Sequence, residues 1–391
     1  MSTAARGWGG RTLERPVGLN WEVVAAVASL LALSIVMVFS ATSTFAGPGR
    51  LESAGMSYLF RHLTSIGVAL CAAAAVYRVP MSFWFRFSNW AGFGAIALLA
   101  VVLVPGIGHS VKGATRWIGV GALSLQVSEV VKVAVLIFAA AFTVKKQDFM
   151  HSFSKGFFPM AIVMVFISAL LMKEPDLGAT VVIACEIMGV LFLGGLSMAI
   201  FISVAGVVAL FVAWMIVDTP WRLGRFFAYL NPWSDEYVLG QAYQLSHSLI
   251  AFGRGEIFGV GLGGSVEKLN YLPEAHTDFI MAVIAEEMGF CGVMLTLFLF
   301  YWLIRRAFEI GRQAVKLERP FQGLVAQGIG LWFGVQAVIN VGVASGALPT
   351  KGLTLPFVSY GGSALLSSLV AVGLLLRVDK ENKILMRGGQ V

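Results

Sequence analysis

The sequence predicts an all-α polytopic membrane bundle of about ten transmembrane helices, with one large outer loop between spans seven and eight. Three observations carry that prediction. Of 391 residues, 58% are hydrophobic and only 13% are charged, where an ordinary soluble chain is about a quarter charged; mean hydropathy is +0.82. Apolar runs of about twenty residues, the length a hydrocarbon core demands, recur along the chain. Lys and Arg sit in the gaps between those runs and form no dense tract. Together these exclude a soluble globular enzyme and a disordered scaffold, and the scattering of the +7 net charge argues against a nucleic-acid partner.

In chain order, residues 1–21 form a polar, basic tail for which no cleavable signal is expected, because the first apolar run is full length. A membrane domain follows over 22–377. Its spans are expected near 22–41, 59–77, 84–104, 129–144, 157–172, 178–194, 198–217, 279–304, 322–344 and 361–376, each bounded by charge, Gly or Pro. Residues 378–391 make a second tail. An even number of spans puts both tails on one side. The short segments on that side carry 17 of the 28 Lys and Arg residues, including Lys145, Lys146, Arg305, Arg306, Arg377 and Lys380, so it reads as cytoplasmic. The large outer loop runs over about 218–278. Within it Val238, Ala242, Leu245, Leu249 and Phe252 recur at helical spacing, which predicts an amphipathic helix on the membrane surface or capping the bundle. Cys71, Cys185 and Cys291 each fall in an apolar stretch with no metal or disulfide spacing.

Several motifs read as architecture. Gly259, Gly261 and Gly264 spell G-x-G-x-x-G without a βαβ context, and are expected to form a flexible turn with no nucleotide site. Gly330 and Gly334 suit a helix-packing contact. Glu129 and Lys132, three apart, can meet on one helix face as a structural ion pair. Glu174-Pro175-Asp176 is placed to cap the sixth span. Glu186, in the middle of that span, must be protonated, paired or facing a wet cavity.

Chemistry concentrates on the outer side. Lys112, Arg116 and Lys351 stand among Gly, Pro and aromatic residues, where headgroup contacts and loop ion pairs compete with the handling of an anionic ligand. Asp278, where the outer loop enters the eighth span, sits at the water boundary. Its carboxylate is equally suited to capping the helix, to acting as a general base on a sugar hydroxyl, or to holding a divalent cation.

Five stretches then act together: Lys112-Gly113-Ala114-Thr115-Arg116-Trp117-Ile118, Leu125-Gln126-Val127-Ser128-Glu129, Glu174-Pro175-Asp176-Leu177-Gly178, Tyr271 to Ile280, and Leu348 to Pro356 with Ser359-Tyr360-Gly361-Gly362-Ser363. On these the chain resembles the SEDS family (shape, elongation, division and sporulation), integral-membrane peptidoglycan glycosyltransferases, over nearly its whole length. Gly253-Arg254-Gly255-Glu256, Ser265 to Leu269 and Pro273-Glu274-Ala275-His276 resemble the division branch more than the elongation branch. Val127 stands where the family usually has Pro, and Glu186 adds an acid to the usual pattern.

The resemblance implies that Asp278 is the essential outer-loop aspartate and catalytic base. It also implies that Glu129 and Lys132 form the family's ion pair, that Trp117 lines a cavity, and that Lys351 is functionally sensitive. Lys112, Arg116, Trp117, Lys351, His276 and Thr277 are the expected substrate-binding residues. The implied reaction joins lipid II units into a glycan strand and releases undecaprenyl pyrophosphate. Mg²⁺ or Mn²⁺ is expected as cofactor, with Asp278 as its candidate ligand, and no nucleotide. Expected partners are lipid II, the nascent glycan, a class B penicillin-binding protein acting as septal transpeptidase, other divisome proteins and membrane lipid. The implied location is the bacterial inner membrane, multi-pass, with cytoplasmic termini and enrichment at the division septum. A lipid II flippase is the competing reading, with Glu186 as its one hint, and a pure scaffold is the third.

Overall fold

The computed structural model describes residues 18–43, 51–111, 113–120, 123–218 and 220–390. Each expected span is met by helix. The first, α1 (Trp21–Thr42), starts behind Asn20, whose side-chain oxygen accepts the Val23 N–H at 3.4 Å while its amide donates to Asp379 at 3.0 Å. α2 (Leu51–Arg78) ends before Pro80, which disfavours helix at Val79. α3 (Met81–Arg86) and α4 (Ser88–Val102) share the third span. Next come α5 (Val127–Lys145), α6 (Phe158–Lys173), α7 (Leu177–Leu193) and α8 (Met198–Val217). The outer loop holds α9 (Pro220–Leu230) and α10 (Tyr243–Gly255), and the chain closes with α11 (Ile280–Lys316), α12 (Pro320–Ala344) and α13 (Gly362–Met386). Among the described residues seven helices are long and apolar enough to cross a membrane, with α4, α7 and α8 as shorter apolar helices beside them.

One element went beyond expectation. Between α4 and α5 the chain forms a three-stranded antiparallel sheet of β1 (Gly108–Val111), β2 (Ala114–Val120) and β3 (Leu123–Gln126), in which Trp117 pairs with His109 and Gln126. α5 begins at buried Val127, directly after β3, so the absence of Pro there does not delay the helix.

The core lies among α5, α7, α11, α12 and α13, with Trp332, Phe333, Phe300 and Phe357 almost fully enclosed. Close packing, the force available between helices in lipid, is set by small residues. A Cβ on Gly189 would meet Leu331 at 1.8 Å and one on Gly328 would meet Leu136 at 2.4 Å. Gly330 and Gly334 do lie in a helix contact, against Ala307, Phe308 and Ile304 of α11. The expected amphipathic helix is met only in part by α10, which starts at Tyr243 and leaves Val238 and Ala242 in the turns before it; Leu245 and Ala251 pack inward against α11.

The G-x-G-x-x-G stretch departs from expectation, being a backbone-paired insert and not a loose turn. α11 is broken at Gly289 (φ 64°, ψ −163°), which strands the carbonyls of Glu286 and Glu287 and the N–H groups of Phe290 and Cys291. Segment 256–261 takes up all four: Val260 N donates to Glu286 O (2.9 Å), Gly261 N to Glu287 O (3.1 Å), Phe290 N to Glu256 O (2.9 Å) and Cys291 N to Ile257 O (3.1 Å). A broken helix at membrane depth is tolerated only where its polar groups are satisfied in this way. Gly259 (φ +81°) is required, because a Cβ there would stand 2.2 Å from the Glu287 carbonyl oxygen. A buried ion pair and a half-exposed one then lock the insert. Lys268 donates to Glu287 at 2.6 Å, Ser40 bonds the same carboxylate, Arg254 reaches Glu286 at 2.8 Å, and Ser265 also binds Glu286.

Candidate active site

Asp278 sits just before α11, half-buried, at the same end of the bundle as the sheet and the loop between α12 and α13. Its Oδ2 lies over Gly352, where an added Cβ would approach to 2.7 Å. The neighbouring Lys351 is exposed. The sequence-predicted Asp278 and the Lys351 segment, far apart in the chain, are therefore brought together.

Side chains from the spanning helices hold this meeting in place. The loop between α12 and α13 is irregular backbone whose carbonyls must find donors away from water. Ser34 of α1 donates to Val358 O at 2.8 Å, and Gln336 of α12 donates to Thr354 O at 2.8 Å. Asn340 donates to both Leu353 O (2.5 Å) and Asp278 O (2.9 Å). Ser359 donates to Thr277 O (2.5 Å), and Tyr360 N to His276 O (2.9 Å). Thr277 turns its hydroxyl back to Glu274 Oε2 at 2.8 Å. The His276 ring packs edge-on against Tyr58 and tilted against Tyr360, with centroids 5.9 and 5.7 Å away. Burial pushes the Tyr360 phenol above its ordinary pKa, so it stays a neutral donor.

Beneath the loop lies the expected ion pair. Lys132 Nζ is 2.8 Å from Glu129 Oε2, over the Trp332 ring, and donates to Gln336 Oε1 at 3.2 Å. Ser367 donates to Glu129 Oε2 at 2.9 Å. Gln336 also accepts from Trp332 Nε1 at 2.7 Å, so one amide joins the core pair to Thr354 above. A pair with every group satisfied fixes geometry, which is the role expected of it. Glu186, 1% exposed, has no hydrogen-bond partner for its carboxyl among the described residues.

Arg116 on β2 takes a different part from a bare cation. Its Nε donates to Glu174 O (3.1 Å), Nη2 donates to Pro175 O (3.0 Å), and Nη1 stands 3.8 Å from Asp176. Asp176 in turn caps α7 by accepting Ala179 N at 3.1 Å and accepts Ser128 Oγ at 3.0 Å. The guanidinium thus splints the α6–α7 turn while staying partly exposed. That turn reaches the site through Gly178, whose added Cβ would stand 2.9 Å from Gly352 O. Glu174 is enclosed there without a partner. Burial first, then the Asp176 charge, raises its pKa to about 8 against the pull of Arg116. Trp117 is partly exposed on the same sheet, and Gln126 N bonds Ser363 at the start of α13. Lys112 lies outside the described residues.

The sequence reading passed over Gln336 and Asn340. They stand four residues apart on one helix face of a span that also holds Gln322 and Gln327, and that spacing was the available signal. Among the described residues no group of three His, Cys, Asp or Glu side chains could hold a metal.

A polytopic helical bundle with the half-buried Asp278 at one end, beside an irregular loop backed by a buried ion pair, defines the class as a membrane protein whose chemistry-bearing groups gather at that end. The family model described as "Cell cycle protein", covering FtsW, RodA and SpoVE, matches residues 21–384, and the chain belongs to that family. A Burkholderia thailandensis protein named "Probable peptidoglycan glycosyltransferase FtsW" is 52% identical over 381 residues, 97% of this chain and 82% of that one. One of the same name from Thiomonas intermedia is 53% identical over 385 residues, 97% and 92% of the two chains. Among solved structures, a chain of a complex described as "Structural coordination of polymerization and crosslinking by a peptidoglycan synthase complex" gives a TM-score of 0.75 at 27% identity, covering 94% of this chain and 99% of that one. The rod shape determining protein RodA of Thermus thermophilus gives 0.66 at 25%, covering 94% and 98%. The higher identity to FtsW agrees with the division-branch resemblance.

Proposed function

We propose that this chain is a peptidoglycan glycosyltransferase that joins lipid II disaccharides into glycan strands during septal wall synthesis, with Asp278 as its base. The observation that carries the reading is the Asp278 carboxylate, half-buried at the mouth of the bundle and held against the Lys351–Gly352 segment. The Asp278 end faces outward and both chain termini lie on the inner side, as the distribution of Lys and Arg supports.

Asp278 takes the proton from the acceptor N-acetylglucosamine 4-hydroxyl as that oxygen attacks the anomeric carbon of the donor chain. The bond from that carbon to the pyrophosphate oxygen breaks, and undecaprenyl pyrophosphate leaves with the electron pair. One well-placed acid suffices for direct displacement. Lys351, Arg116 and Lys112 stabilise the pyrophosphate charge, and Trp117, His276 and Thr277 line the sugar and peptide path. The Mg²⁺ or Mn²⁺ that belongs to this proposal comes with the substrate, since small divalent cations are commonly held by one or two carboxylates plus phosphate oxygens. A class B penicillin-binding protein is the proposed partner, supported by the likeness to a synthase complex of polymerisation and crosslinking.

Purified protein carrying Asp278→Ala is expected to fold normally and to form no polymer from lipid II. Polymer formation at the wild-type rate overturns the assignment. Flipping of lipid II in liposomes by a variant that makes no polymer would favour transport instead.

A further inference from the structure

Asn340 is 1% exposed on α12, one turn beyond Gln336. Its two amide hydrogens go to different segments, one to the carbonyl of Asp278 at 2.9 Å and one to the carbonyl of Leu353 at 2.5 Å. Its own Oδ1 is buried without a partner. The residue therefore supplies two donors at the cost of a stranded acceptor, a cost that a site with no need of both donors would not carry.

The two carbonyls flank the place where Asp278 Oδ2 meets Gly352. Two other ties between the segments lie close by, Ser359 to Thr277 O on the N-terminal side of Asp278 and Tyr360 N to His276 O, whereas Asn340 takes the carbonyl on the C-terminal side of Asp278. We propose that Asn340 is a positioning residue that fixes the Asp278 carboxylate relative to the Lys351–Gly352 segment, and so governs turnover and not substrate capture. This rests on the glycosyltransferase reading above. A flat amide offers both hydrogens at a fixed angle, so it sets the separation of the two peptide units as a hydroxyl or a lone ammonium could not. A general base works only within hydrogen-bond reach of its proton.

The test uses the full-length protein with purified lipid II, comparing wild type, Asn340→Ala and the near-isosteric Asn340→Asp. A misplacement of about 1 Å costs about 100-fold in rate. Accordingly kcat should fall by about 100-fold for Asn340→Ala and by about 10-fold or more for Asn340→Asp, with KM within about threefold and thermal melting showing folded protein. Wild-type kcat in a folded variant, a change in KM alone, or a rate loss that follows the fraction unfolded each overturns the proposal. Should the alanine variant fail to fold, the aspartate variant decides by the same criteria; failure of both assigns Asn340 to the fold and overturns it too. Absence of polymer with wild type defeats the glycosyltransferase reading and this inference with it. Polymer at equal kcat in all three defeats this inference alone.

Discussion

Replacing Gly352 by Ala isolates the position of the Asp278 carboxylate from every other property of the site. Gly352 does not adopt the positive φ that favours glycine, so alanine brings no backbone strain there. The new methyl would stand 2.7 Å from Asp278 Oδ2, 3.5 Å from its Cγ and 4.0 Å from Oδ1, whereas ordinary contact begins at 3.4 Å. The oxygen must retreat by about 0.7 Å, the difference between 3.4 and 2.7 Å. Because the neighbour, Asp278 Oδ2, is the free end of a side chain, the retreat is cheap, and stability should change by less than about 1 kcal/mol. The reaction is less forgiving. With about 100-fold lost per ångström of misplacement, kcat should drop by about 10- to 100-fold, a rise of roughly 1.4 to 2.7 kcal/mol in the barrier. Lipid II polymerisation followed by gel, alongside a thermal melt of the same preparation, separates the two effects. Full activity with an unchanged melting temperature would show that Asp278 is not needed where it stands, and the catalytic assignment would fall with that result.

Lys132→Met leaves the Glu129 carboxylate buried without its cation and should cost about 3 to 5 kcal/mol; the Glu129→Gln, Lys132→Met double variant should melt well above the single one, and equal melting would deny the coupling. Gly259→Ala must place a methyl 2.2 Å from Glu287 O at a φ of +81°, so a loss of at least about 2 kcal/mol and poor recovery from membranes are expected; wild-type yield would contradict the paired insert. Glu174 has a folded pKa of about 8 against an ordinary 4.5, so the folded protein keeps a proton that the unfolded chain gives up. Its stabilising effect is complete below about pH 4.5 and fades as pH rises to 8, and Glu174→Gln should flatten that decline by on the order of 2 kcal/mol in melts across the window.

The spans were legible because lipid imposes a length and an apolarity that any window of residues reports directly. α10 was legible in part, through Leu245, Leu249 and Phe252 at helical spacing, but Val238 and Ala242 precede it and its buried Ser246 and Ser248 give no apolar signal. The β1–β3 sheet was not. Its strands are four to seven residues long in a Gly-rich connection, too short for periodicity to separate from turn. The insert at 256–261 escaped for a different reason. Its partner groups are the carbonyls and amides released at Gly289, and no local pattern in G-x-G-x-x-G announces a break some thirty residues on. At the site, Asp278 could be singled out as an acid at a boundary, but its role stayed open until the resemblance supplied one. Arg116 was read as a substrate cation, and the structure adds that its guanidinium is already bonded to the α6–α7 turn.

In the proposed direct displacement a single base leaves little covalent work for the protein, so its polar residues should serve placement. Ser34, Gln336 and Asn340, buried on spanning helices, each donate to a carbonyl of the loop before α13. The Glu129–Lys132 pair holds Gln336 from below, and Asp176 ties the sheet side to the turn that meets Gly352. Each polar group buried in the bundle carries a desolvation cost that an apolar residue would avoid. A scaffold needing only stability would lose that cost by substitution, whereas a site that must keep one carboxylate within a fraction of an ångström has reason to retain it. Stability and turnover should therefore separate along this network: groups touching the Asp278 and Gly352 peptide units should alter rate first, and the ion pair deeper in the core should alter melting first.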